Sequence, residues 1–242
     1  MQRKDIIESL EHRFQTCFSK ERNLLDYQNL DQNDARVTFY KHLINTLDAT
    51  IHLLIFTDKH LLTTQWWAQT IKEYKIKMRS FEKTEIQVIE KESDYIDQHL
   101  LFSYFLFIFH TFESSFRIIS KHCYPKDYLT PQGDPLPFMR LCNNILPKVG
   151  LYTKTEYKNF IRIVTKYRNS IHNNGVYISQ ELNPKILWKG QIYTFSNGNQ
   201  IYYTDLWKVF IAFTDEYIDL FDKITKSINI SKGSTITDIT EI

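Results

Sequence analysis

Read from its N-terminus, the chain meets no proline before Pro125 and no glycine before Gly133. At average usage the first 124 residues would hold roughly 15 of these two. Sandwiches, Rossmann sheets and phosphate-cradling loops all need glycine at backbone angles that other residues avoid. Their absence from half the protein leaves long helices joined by short polar breaks.

Hydrophobic periodicity places those helices. Ile6, Ile7, Leu10, Phe14, Cys17, Phe18, Leu24 and Leu25 follow helical spacing and predict a helix over about 3–26. The break YQNLDQND offers Asn33 or Asp34 as the N-cap of a second helix, which carries Val37, Tyr40, Leu43, Ile44, Leu47, Ile51 and Leu54. A third is expected over about 61–79, with Trp66, Trp67, Ile71 and Tyr74, and a long fourth over 84–121. Residues 122–137 hold four of the six prolines and read as a loop. A short helix follows at 138–146, and another at 153–173 that ends in Asn173, Asn174 and Gly175, suited to a left-handed cap. At 185–203 the period shortens: two or three strands are expected, with Asn197-Gly198 as a type I′ hairpin turn. A last helix covers 205–227 and a polar tail follows. The fold class is therefore all-α with a small β-hairpin insert before the last helix. We divide it into N-terminal helices 1–80 packed on the bundle, a helical unit 81–228, and a flexible tail 229–242.

Composition limits the functions. Charge is balanced, 30 basic against 28 acidic residues, so a uniformly basic nucleic-acid coat is not indicated. Only four residues are Ala, while Ile, Lys, Asn, Tyr and Phe abound, the bias of an AT-rich genome such as that of a low-GC bacterium or its phage. Cys17, Cys123 and Cys142 lie far apart in no metal-binding spacing, and reduced thiols of a cytoplasmic protein are the expectation. The charged start lacks the apolar core of a signal peptide, and the apolar run 100–109 is too short to cross a membrane. No P-loop, zincin motif, nucleophile elbow or dinucleotide fingerprint is present, and neither metal nor cofactor is expected. Trp188, Trp207 and His110 read as core residues.

One segment stands apart: Tyr167-Arg168-Asn169-Ser170-Ile171-His172-Asn173-Asn174-Gly175. Tyr157, Phe160, Ile161, Val164 and Ile171 form an apolar stripe, and Arg168 lies eleven residues after Tyr157 and seven after Ile161, each about 20° from superposition. His172 follows one turn later, so the stripe is expected to continue into an Arg and a His on one buried face. In the long helix Phe102, Leu106 and Phe109 run likewise into Glu113 and Arg117. A buried arginine needs a partner, and a Glu113–Arg168 ion pair would supply one; a structural salt bridge capping the bundle is the competing reading. Lys154, Lys158, Arg162 and Lys166 recur every four residues as a basic ridge, either an RNA-backbone track or a solvated helix face.

The string RNSIHNNG at the end of a helix in an all-helical frame resembles the HEPN family of helical-bundle domains, whose late helix bears an Arg, commonly followed by Asn, and then a His. Arg168, Asn169 and His172 match those residue types, and the FESSFR segment at 112–117 is similar to the polar position of the family's earlier core helix. The resemblance covers about 84–225. Nuclease members usually separate Arg and His by four to six residues; here three intervene. The resemblance implies a metal-independent endoribonuclease, a toxin or phage-defence effector, that cleaves RNA at the two-fold interface of a homodimer and is controlled by an antitoxin or other regulatory protein. His172 would serve as general acid or base, Arg168 would hold the phosphate, and Asn169 and Asn173 would orient phosphate or ribose. It equally admits a non-catalytic nucleotide-binding or dimerisation module.

Overall fold

The structure, a computed structural model, describes residues 1–61, 65, 69, 73, 86–151, 155–201, 205–228 and 235–238. Most of the expected third helix, Trp66 and Trp67 included, and the ridge residue Lys154 lie outside them. Helix α1 spans Arg3–Arg22 and runs into a π-helical turn, Asn23–Tyr27. Helix α2, Ala35–Phe56, is followed by a second such turn, Thr57–Leu61. The long α3 covers Ile86–Cys123, followed by the single-turn α4, Pro125–Tyr128, and α5, Phe138–Ile145. Helix α6 is Thr155–His172, β1 Lys185–Trp188, β2 Gln191–Thr194 and α7 Leu206–Ser227. The protein is all-α with one small antiparallel hairpin before its last helix.

With little alanine to bring helices close, aromatic rings fill the space between them. Phe39 of α2 stacks on Phe221 of α7 at 3.7 Å between centroids. Phe105 of α3 meets Phe210 at 4.4 Å, and Phe112 meets Tyr217 at 4.8 Å. One apolar cluster runs from Ile6 in α1 to Ile236 beyond α7. Charged clamps close its edges: Arg13 forks onto both carboxylate oxygens of Asp215, and Lys20 and Tyr40 both bond Asp222.

Two expectations need correction. The hairpin turns at Lys189-Gly190, not at Asn197-Gly198. Both Lys189 (φ 44°) and Gly190 (φ 76°) are left-handed, as a type I′ turn requires. Ile186, Trp188 and Tyr193 then point inward, with Trp188 5.4 Å from both Phe160 and Phe213. At the other dipeptide only Gly198 is left-handed, and it closes a separate turn, Asn199 N–H to Ser196 O at 3.0 Å.

The tail is also tied down at 235–238. Ile236 is buried, and its N–H donates to Asp34 Oδ2 at 2.9 Å. Asp238 is buried and accepts from the Thr38 hydroxyl at 2.8 Å. Asp34, the N-cap of α2, holds the junction: Oδ1 accepts from Arg36 N–H while the Arg36 guanidinium clasps both oxygens. The ladder Ala35 N–H to Ile236 O and Asp238 N–H to Asn33 O gives this stretch backbone partners that its polar sequence did not advertise.

Candidate functional site

Helix α6 buries Tyr157, Phe160, Ile161, Ile163, Val164, Tyr167 and Ser170. Its apolar stripe therefore veers. After Val164 the inward positions are Tyr167 and Ser170, not Arg168 and His172. The choice is made by partners: Tyr167 lies 5.2–5.7 Å from the rings of Phe195, Phe210 and Phe213. Arg168, one residue on and about 100° around the helix, is half-buried, and His172 is exposed. Both occupy the rim of the core rather than its buried face.

The end of the helix is held by a left-handed turn. Asn174 takes φ 55° and Gly175 φ 81°. Gly175 N–H donates to Ser170 O at 2.8 Å and Asn174 N–H to Ile171 O at 3.1 Å, the paired bonds of a Schellman cap. His172 thus sits in a last turn whose geometry is fixed.

The ion pair expected between Glu113 and Arg168 is not formed. Glu113 Oε1 instead accepts from Arg117 Nε at 2.9 Å and Nη2 at 2.7 Å, and Arg117 Nη1 reaches Leu136 O at 2.9 Å. An arginine one turn along the same helix satisfies the carboxylate without spanning two helices. Arg168 is left with a single protein hydrogen bond among the described residues, Nη1 to Asn169 Oδ1 at 3.1 Å, and its Nε is buried without a partner. Most of its donors are uncommitted. Asn169 and Asn173 are both exposed beside it.

Sequence reasoning missed His110. Rather than a core histidine, it is a solvent-contacting residue of α3 whose ring lies 6.3 Å from that of His172, inclined at 68°. Partial burial of the ring is the main cause holding its proton affinity below the ordinary histidine value. The Glu113 carboxylate opposes that shift, and Arg168 and His172 reinforce it. A signal was present: His110 precedes Glu113 by three residues, so the two share a helix face.

The basic ridge is partly neutralised. Arg162 and Lys166 both grip Glu181 in the loop after α6, at 2.9 and 2.7 Å, and Lys166 also reaches the Tyr177 hydroxyl at 2.9 Å. The Lys166 hydrogen bond holds the Glu181 carboxyl below its usual range, with Arg162 adding to it. Lys158 is exposed. Between ridge and loop lies a hollow of about 170 Å³ that Asn169 also lines.

Among the described residues no group of His, Cys, Asp and Glu is arranged to hold a metal ion, and no helix is long and apolar enough to cross a membrane. Cys17 and Cys142 are buried, and burial pushes the Cys17 thiol up to about 12. No protein-family model matches the chain, and neither a curated protein nor a solved structure is significantly similar to it.

Proposed function

We propose that the protein is a metal-independent endoribonuclease of the HEPN kind, a cytoplasmic toxin or phage-defence effector that works as a homodimer under the control of an antitoxin or similar partner. The observation that carries this reading is the Arg168–His172 pair at the solvent-facing end of α6, with the Arg168 guanidinium almost free of protein partners. A half-buried arginine with spare donors has the fork geometry that matches two phosphate oxygens and offsets charge growing on them. A histidine one turn away can move a proton to or from a ribose hydroxyl or a leaving oxygen. Asn169 and Asn173, exposed alongside, supply neutral donors and acceptors for ribose or phosphate.

A second reading is favoured by the pairing of Arg162 and Lys166 with Glu181. That pairing weakens a track for a long RNA backbone and fits a smaller ligand: a non-catalytic module that binds a nucleotide or a second copy through the same Arg168 and His172.

RNA incubation in EDTA separates the two. Cleavage that persists with chelator and falls about 100-fold or more in His172→Ala supports the nuclease. A folded wild-type protein that leaves RNA intact at every concentration removes it in favour of the binding module.

A further inference from the structure

The best-supported addition to the site comes from α3. We infer that His110 and His172 of one protomer form a two-histidine grip on a single phosphate diester, with Arg168 as the charge that neutralises it. Three observations converge. The two rings meet edge-on, with centroids 6.3 Å apart and planes inclined at 68°, and no hydrogen bond joins them. Imidazoles whose centres lie this close can each donate from a ring nitrogen to a different oxygen of one phosphate bound beside them. Second, the cation beside them, Arg168, is unspent on protein. Third, the competing anion is occupied: Glu113 is bound by Arg117, which removes the carboxylate that would otherwise take Arg168.

The groups facing His110 are Glu113 on its own helix and Arg168 and His172 on α6. Burial, reinforced by Arg168 and His172 and opposed by Glu113, favours its neutral form, so it enters the reaction as the proton acceptor. These proton roles rest on the nuclease reading; the grip itself does not. In that reaction the 2′-hydroxyl oxygen attacks phosphorus, its proton passes to His110, and the bond from phosphorus to the 5′-oxygen breaks. His172 gives the leaving oxygen a proton, and the product is a 2′,3′-cyclic phosphate. No water, metal or redox partner is consumed, and exchange with solvent resets both rings. Both histidines come from one chain, so the pair is complete without a residue from a second copy.

The test has two arms. In the first, side-chain NMR of the wild-type protein follows both imidazoles during titration with a 2′-deoxydinucleoside monophosphate, which has no hydroxyl to attack. His110 and His172 are expected to respond with one common dissociation constant, each becoming more basic by at least about half a unit. His172→Gln is expected to weaken the His110 response at least about tenfold. A silent His110, or two unrelated dissociation constants, overturns the inference. The second arm measures RNA cleavage against pH for wild type, His110→Gln and His172→Gln, with circular dichroism confirming that each is folded. His110→Gln is expected to lose about 100-fold in kcat and the acidic limb of the profile. Cleavage unchanged in rate and pH profile overturns the proton role of His110 while leaving the nuclease intact. Wild-type protein that spares RNA while both rings answer the dinucleotide ends the nuclease reading and upholds the grip.

Discussion

Replacing Gly175 with alanine tests whether the end of the motif helix is held as described. At φ 81° an L-residue is strained, by about 1–2 kcal/mol. The added Cβ would lie 3.8 Å from Phe102 Cε2, an ordinary contact, so overpacking adds nothing. Alanine also restricts the unfolded chain, which returns about 0.4–1 kcal/mol. At mid-range, about 1.5 less about 0.7, the net cost is about 0.8 kcal/mol. With an unfolding entropy of about 2.1 cal/mol/K per residue over 242 residues, Tm is expected to fall by about 1–3 °C. Thermal unfolding followed by circular dichroism, with urea midpoints as a second measure, reads the difference. Gly175→Val is expected to cost more, because a β-branched residue tolerates positive φ least. Asn174→Gly, which trades relief of strain for greater unfolded-state freedom, is expected to fall within a few tenths of a kcal/mol of wild type. A Gly175→Ala variant as stable as wild type, or more so, would show that the left-handed turn does not anchor His172.

Two further predictions concern elements that the sequence did not place. The hairpin turn is pinned to α7 by Lys189 bonding Glu216, whose side chain is 4% exposed against 50% for the lysine. Lys189→Met is expected to destabilise the fold at pH 7 by about 1–3 kcal/mol, below the usual range for a fully buried pair because the lysine is half in water. Burial raises the Glu216 carboxyl, so the folded state binds its proton more tightly than the unfolded chain. This group's contribution to stability therefore falls as pH rises from the ordinary carboxylate value through the raised one. Melts at pH 5 and pH 7 should find the Lys189→Met deficit smaller at pH 5 and absent when Glu216→Gln is added; a deficit independent of pH would contradict this. In the tail, Ile236 is 1% exposed, and Ile236→Ala is expected to cost about 2–4 kcal/mol in urea unfolding. A loss below about 0.5 kcal/mol would mean that 235–238 adds no packing.

Much of the frame was legible because it depends on near neighbours in sequence. Helical periodicity located α1, α2, α3, α6 and α7 to within a few residues, and the Asp34 cap and the left-handed end at Asn174 and Gly175 follow from local hydrogen-bonding chemistry. The site was legible only in part. Arg168, Asn169 and His172 share one helical turn, so their mutual proximity is a property of the helix. Which side of α6 turns inward was not. Tyr167 and Arg168 sit about 100° apart on the helix, and the rings of Phe195, just after β2, and of Phe210 and Phe213 in α7 turn the Tyr167 side inward.

The same division separates what this chain fixes in its primary structure from what only folding decides. A first half without glycine or proline, read with apolar spacing, sets an all-helical frame, because backbone sterics and 3.6-residue periodicity act within a few residues. Two outcomes needed the tertiary structure: the hairpin turning at Lys189-Gly190, and residues 235–238 pairing with the cap of α2. Each is a choice between locally similar alternatives, and each is settled by groups that lie far away in sequence. The approach of His110 to His172 belongs with them: 62 residues separate the two, and only the packing of α3 against α6 brings their rings together.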